Sequence, residues 1–263
     1  MPQIGVQDDP TFVTGSNDLA RAFSAAAGIH ASWLRITVRV NRPIGPRTFA
    51  AEQAHAHGMS VTATLSGDPS DMPSGPAAYG SWCAQAAAAV PAEAYSTWNE
   101  PDRSDWFPGT VADYKALYMA CYAGIKSVRP NAMVWLGETS PHAMSFLQAL
   151  DAIGLPPADG YAHHPYQFSD PALDPGGDIG VAGLARLRPL IGGLPLYLTE
   201  FGYKQGSPRA AWICPAITAA RRAFANLLVM YQLFPRRTDR WDTSLLNGDG
   251  SPTDEYTALQ GCV

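Results

Sequence analysis

Long apolar runs are missing from this chain of 263 residues. The longest, Leu227–Phe234, falls far short of the ~18 residues a membrane span requires. Basic stretches are missing as well. Lys and Arg number 18 against 23 Asp and Glu, for a net charge of −5, and no local stripe of cations stands out. That balance argues against nucleic acid as the main partner. The four cysteines, Cys83, Cys121, Cys214 and Cys262, show no C-x-x-C spacing, which argues against zinc; their even number leaves free thiols and two disulfides equally open. Neither G-x-G-x-x-G nor a P-loop occurs, which disfavours nucleotide binding, and no G-x-S-x-G elbow marks an α/β-hydrolase. His163 and His164 are adjacent and alternate along a strand, so they cannot face one ion; Asp242–Asp254 lacks the D-x-D-x-D-G order of a calcium loop. No cofactor and no metal is expected. No signal peptide is evident. The expectation is an extracellular protein whose leader is absent from this sequence, or otherwise a cytoplasmic one.

Hydrophobic residues make up 46% and charged residues 16%, enough apolar material for a large core. A short apolar run followed by a helical segment recurs along the whole length. The runs are Ile4–Gln7, Trp33–Val38, Met59–Leu65, Ala94–Trp98, Met133–Leu136, Gly160–His163 and Pro195–Thr199. Their helices are read at Asn17–Ala27, Pro46–His57, Gly75–Val90, Thr110–Arg129, His142–Ile153, Val181–Ile191 and within Ala211–Leu228. Val229–Leu233 is the candidate eighth strand, abutting the helix before it. The fourth helix is the clearest: Val111, Tyr114, Leu117, Tyr118, Cys121, Ile125 and Val128 share one face, Thr110 and Asp113 are spaced as a capping box, and Pro130 ends it. Such alternation gives a parallel sheet with helical crossovers. Without a phosphate turn, the closed form is favoured over an open doubly wound sheet: an α/β protein with a single (β/α)8 TIM barrel over residues 1–263 and no accessory domain.

In such a barrel the chemistry gathers where the strands end. Here several runs end in residues a core would not choose: Asn99-Glu100-Pro101-Asp102 after the fourth, His163-His164-Pro165-Tyr166 after the sixth, and Thr199-Glu200-Phe201-Gly202 after the seventh. Arg35 lies inside the second. A carboxylate directly after an apolar strand costs desolvation unless it is paired or used.

Trp98-Asn99-Glu100-Pro101-Asp102 and Leu198-Thr199-Glu200-Phe201-Gly202, in that order and on those strands, resemble the retaining glycoside hydrolases of clan A, with family 39 or a close relative nearest. Ile125-Lys126-Ser127-Val128-Arg129-Pro130 and the tail from Ser244-Leu245-Leu246-Asn247-Gly248-Asp249-Gly250-Ser251-Pro252 to Tyr256 and Leu259 are similar to the same family. The resemblance implies a retaining O-glycosyl hydrolase in which Glu100 is the general acid/base and Glu200 the nucleophile. It implies that Tyr166 bonds the nucleophile and Asn99 holds the sugar 2-hydroxyl. The chain departs from the family in lacking extra strands or an accessory β domain, a histidine after Leu65-Ser66-Gly67-Asp68, and a clear tryptophan on the eighth strand.

Bottom-up chemistry agrees with two carboxylates in distinct neighbourhoods, one to donate a proton and one to attack. Arg35, pointing inward, would keep Glu200 ionised. Arg35, His164, Tyr166, Asn99, Trp106 and Glu138 are the candidate substrate-binding residues; Glu138 either contacts substrate or pairs with Arg35. Trp33, Trp135 and Trp241 are read as packing residues. The expected partner is an oligosaccharide, polysaccharide or glycoconjugate, bound by a monomer. The alternative is a catalytically inactive carbohydrate-binding barrel, a module of a larger surface or phage-tail protein; a pseudoenzyme normally loses one carboxylate, and both stand here. Helix positions pair Cys83 with Cys121 and Cys214 with Cys262 if the protein is exported.

Overall fold

A computed structural model describes residues 1–167, 169–173, 178–204, 206–236 and 242–263. Eight strands, all parallel to their neighbours, close into a barrel in sequence order. They are β1 (Gln3–Gln7), β2 (Ala31–Arg39), β3 (Ser60–Ser66), β4 (Ala94–Thr97), β5 (Met133–Thr139), β6 (Gly160–His163), β7 (Leu196–Phe201) and β8 (Ala225–Tyr231). The outer layer holds α1 (Asp9–Phe12), α2 (Leu19–Gly28), α3 (Gly45–Ala56), α4 (Pro76–Ala89), α5 (Val111–Val128), α6 (Met144–Ala152), α7 (Arg209–Arg222) and α8 (Asp254–Gln260). The fold is the (β/α)8 barrel that the alternating pattern predicts.

The period-2 alternation of each strand divides its side chains between two compartments. Leu34, Ile36 and Val38 of β2, Val61, Ala63 and Leu65 of β3, and Val134 and Leu136 of β5 pack outward into the main core beneath the helices. Trp33, Ala94, Trp135, Ala162, Tyr197, Leu227 and Val229 form a separate buried cluster contributed by strands alone, which fills the lower interior of the barrel. Trp135 and Tyr197 stack there with centroids 4.0 Å apart, and Trp33 donates its indole N–H to Gln3 at 2.8 Å. One layer further along the strands the inward residues turn polar.

Two segments differ from the sequence reading. Val181–Ile191 is not an α-helix but two 3₁₀ pieces, Val181–Arg186 and Arg188–Leu190. Pro189 has no N–H to continue an α-helical ladder, and Gly183 lies against the Asp178 carbonyl where a Cβ would clash. The eighth strand starts at Ala225, four residues before Val229. Phe224 takes a left-handed backbone (φ 54°) directly after the helix, so a turn of two residues suffices.

The capping box of Thr110 and Asp113 forms at the start of α5. Both cysteine pairs are bridged as the helix positions predict, Cys83 to Cys121 and Cys214 to Cys262, with Cα separations of 5.3 and 5.5 Å. The first sits where α4 and α5 nearly touch: a Cβ on Gly124 would run into the Gly80 carbonyl. Trp33 and Trp135 pack inside the barrel; Trp241 lies outside the described residues. No helix is long and apolar enough to cross a membrane among the described residues.

Candidate active site

The polar layer begins with Arg35, whose position on β2 aims it into the barrel. Its Nη2 donates to Glu138 Oε2 at 2.8 Å and its Nη1 to Glu200 Oε1 at 2.6 Å, and Nη1 also bonds Gln7. Simple alternation would turn Glu138 outward beside Leu136. The register with β6 slips between Gly137 and Thr139, and Gly137 (φ 110°) and Glu138 (φ 57°) take positive-φ conformations that rotate the carboxylate inward. Gly137 is needed there, because a Cβ would meet the Ala162 carbonyl. Thr64 at 3.2 Å and Ser96 donate to Glu138 Oε1, while Thr199 donates to Oε2 at 3.0 Å. A second slip, between Leu198 and Phe201, lets Thr199 and Glu200 both face inward.

Glu100 is set by a left-handed pair. Trp98 (φ 61°) and Glu100 (φ 42°) are non-glycine residues in a region that costs about 1–2 kcal/mol each. The Glu100 N–H donates to the Glu138 carbonyl at 2.8 Å, and the Trp98 indole donates to the Trp106 carbonyl at 2.9 Å. The turn thus lifts Glu100 over the barrel mouth and leaves Asn99 beside it. Asp102 braces it from behind, accepting from the Ser140 N–H at 2.8 Å and from the Ser140 hydroxyl; burial pushes the Asp102 carboxyl up.

The two carboxylates meet at one histidine. His164 Nδ1 lies 3.3 Å from Glu100 Oε1 and 3.8 Å from Glu200 Oε2, and its Nε2 lies 2.6 Å from Glu138 Oε2. Tyr166 donates to Glu200 Oε2 at 3.0 Å, and Arg103 pairs with Glu100 Oε2 at 3.1 Å. His163, on the other side of β6, contacts Thr139 at 2.9 Å and the Ile179 carbonyl at 2.7 Å.

Charge in this layer is mutually supported. Burial works against the charge on Arg35, but Glu138 and then Glu200 hold its proton more tightly than usual. Burial pushes the Glu138 carboxyl up, but Arg35 and then His164 hold it well below the usual carboxylate range. Burial disfavours a charged His164, yet Glu200, Glu100 and Glu138 push it up to about 10. Burial takes His163 down to about 3, which keeps that ring neutral.

Above the layer opens a cleft of about 640 Å³. Asn99, Glu100, Trp106, Tyr166 and Glu200 line it. Arg35, His164 and Glu138 do not: each is at most 1% exposed, and they touch the carboxylates rather than the open space. These three thus lie one layer beneath Glu100 and Glu200, and of the two readings of Glu138 it is the pair with Arg35 that forms. Several cleft residues escaped the sequence reading: Gln7, Asp9, Arg39, Arg103, Tyr231 and Arg236. Arg103 had a signal, its i+3 spacing from Glu100. Tyr231 had one too, as an aromatic at the inward end of β8. No group of His, Cys, Asp and Glu suited to a metal occurs among the described residues.

No protein-family model matches the chain, and no curated protein matches it. Solved structures do match in fold. The GH5_18 protein from Streptomyces cattleya, in complex with Manb1-4GlcNAc, aligns with a TM-score of 0.76 at 14% identity, over 99% of this chain and 80% of that one. A glucosidase from Croceicoccus marinus aligns with a TM-score of 0.73 at 15% identity, over 99% of this chain and 67% of that one. The hyperthermostable endo-1,4-beta-D-mannanase from Thermotoga petrophila RKU-1 aligns with a TM-score of 0.67 at 12% identity, over 99% of each chain. At such identities the likeness is one of fold. These likenesses do not carry the narrower assignment to family 39.

Proposed function

We propose that the protein is a retaining O-glycosyl hydrolase of the clan A type, with family 39 or a relative as its nearest kin in motif. Glu100 acts as general acid and then base, and Glu200 is the nucleophile. The observation that carries this reading is the pairing of the two glutamates around His164 Nδ1 at the floor of one cleft. The solved structures of similar fold support it, since those described above include a glucosidase and a mannanase.

The neighbourhoods suit the two roles. Glu200 accepts from Arg35 on one oxygen and from Tyr166 on the other, so its lone pairs are oriented and its negative charge is matched, as attack on an anomeric carbon demands. Glu100 stands at the rim between Arg103 and His164, partly open to the cleft. In the first step its proton passes to the leaving oxygen while Glu200 forms the glycosyl–enzyme bond. In the second, Glu100 takes a proton from water as that water displaces Glu200. Asn99 lies beside Glu100 on the cleft wall, where a sugar 2-hydroxyl would sit, and Trp106 offers an aromatic face for C–H packing. The ligand is an oligosaccharide, a polysaccharide or a glycoconjugate, bound by a monomer. Two disulfides fit an oxidising, extracellular setting.

A panel of aryl glycosides with a 2-fluoro sugar of matching configuration, followed by intact mass, tests the assignment. A covalent adduct on Glu200 supports it. Absence of turnover and of adduct across the panel, with sugar binding retained, favours the inactive carbohydrate-binding barrel.

A further inference from the structure

Three carboxylates, not two, converge beneath this cleft, and the third is sealed. Glu138 is fully buried, outside the cleft lining, and accepts five donors: Arg35, His164 and Thr199 on Oε2, Ser96 and Thr64 on Oε1. Five donors satisfy a carboxylate and leave it no capacity for a ligand. Its two charged partners each extend to the oxygens above. Arg35 reaches Glu200 Oε1, and His164 reaches toward Glu200 Oε2 and Glu100 Oε1.

The His164 ring has a constraint of its own. Its two nitrogens face carboxylate oxygens only, Nε2 toward Glu138 and Nδ1 toward Glu100 and Glu200. A neutral imidazole carries one lone pair, which would then point at an acceptor unless Glu100 turned its own proton inward, away from the cleft where it is to be donated. A doubly protonated ring satisfies both sides. Charge counting agrees: with Glu100 holding the proton it is to donate, Glu138 and Glu200 supply two negative charges against the two positive charges of Arg35 and His164. Removing Glu138 would leave two buried cations facing one anion, which the ring can relieve by losing its proton.

We propose that Glu138 is a positioning residue that holds His164 as the imidazolium, so that its Nδ1–H bonds Glu100 while its charge lies beside Glu200. This rests on the glycosidase reading for its kinetic consequences but not for its protonation state. The charged and titratable groups facing the ring are Arg35 from β2, Glu100 after β4, Glu138 from β5, Glu200 from β7, and His163 and Tyr166 from its own segment. His163 is neutral, and the Tyr166 hydroxyl is pushed upward by burial, so neither supplies a competing charge.

The test has two arms. The first is the ¹⁵N spectrum of His164 in the wild-type protein, assigned by comparison with His164→Asn. Both ring nitrogens should show protonated shifts from pH 5 to pH 8, and in Glu138→Gln the ring should titrate inside that range. A wild-type ring that is neutral at pH 6 overturns the proposal, whether or not the variant folds and whether or not any glycoside is cleaved. The second arm is kinetic. Glu138→Gln should lower kcat about 10-fold or more with KM nearly unchanged. The basic limb of the pH profile should move upward, because above the ring's own titration the general acid has lost a neighbouring cation. A uniform loss of activity with neither limb displaced would mean that Glu138 only supports the fold, and would also overturn the proposal.

Discussion

Tyr166 donates its hydroxyl to Glu200 at 3.0 Å, on the oxygen that Arg35 leaves open. One oxygen of Glu200 is thus held by a cation from β2 and the other by a phenol from the loop after β6. Tyr166→Phe keeps the ring and removes only that donor. We expect kcat/KM to fall about 10- to 100-fold on the preferred aryl glycoside, with the melting temperature nearly unchanged. A loss of several degrees with activity intact would assign the hydroxyl to folding instead.

The glutamates should separate by variant. Glu200→Gln should abolish turnover on every substrate. Glu100→Ala should still cleave a glycoside with a good leaving group, because little protonation is needed to expel it, and should then stall as the glycosyl–enzyme. Azide should speed release and yield a glycosyl azide of retained configuration, read by NMR of the product. Hydrolysis by the wild type with inversion at the anomeric carbon, read by NMR of the first-formed product, would argue for an inverting enzyme.

Asn99 lines the cleft next to Glu100. A hydrogen bond to a sugar 2-hydroxyl strengthens as the oxocarbenium develops, so Asn99→Ala should cost about 100-fold in kcat/KM with little change in melting temperature. Removing the 2-hydroxyl from the substrate should cost wild type much more than the variant, a non-additivity that a double cycle measures.

The disulfides are testable without activity. Non-reducing peptide mapping should recover Cys83 joined to Cys121 and Cys214 joined to Cys262; four free thiols or crossed pairs would contradict the fold around α4–α5 and α7–α8. The Cys83–Cys121 bridge closes a separation of 38 residues. Its removal as a double Ala variant should cost about 3–4 kcal/mol of stability in a denaturant melt.

Glu255 offers a pH handle away from the cleft. Its carboxyl is buried and, despite Arg209 at 3.3 Å, burial pushes it up to about 8. The folded state therefore holds a proton that the unfolded chain releases near ~4.3. The stabilisation is fully present below that value and is lost as pH rises through about 8. Glu255→Gln should match wild type near pH 4 and melt at a higher temperature at pH 9. A variant that is equally destabilised at both pH values would show that the Arg209 pair outweighs burial.

Much of this was legible in the residues. The strands announced themselves because a parallel barrel buries both faces, and Gly160–His163 was read with its observed ends. The polar strand ends stood out for the same reason: Glu100 and Glu200 follow runs that are otherwise apolar. What could not be read was depth. Alternation alone turns Glu138 and Glu200 outward, and only the slips at Gly137–Thr139 and Leu198–Phe201 bring them in. Those slips depend on how a strand pairs with its neighbour, which no local pattern specifies. The same limit hides the depth of Glu138, Arg35 and His164, which lie one layer below the cleft lining. Val181–Ile191 failed for a local reason, since its apolar spacing is helical while Gly183 and Pro189 oppose a continuous α-helix.

The aromatic plug of Trp33, Trp135 and Tyr197 has a bearing on traffic. With the lower barrel filled by stacked rings, the cleft is a cul-de-sac. Whatever reaches Glu200 comes from the mouth side of the barrel, past a lining that includes Arg39, Trp106, His142 and Arg236. The filled bottom thus confines every approach to Glu200 to the face where the strands end.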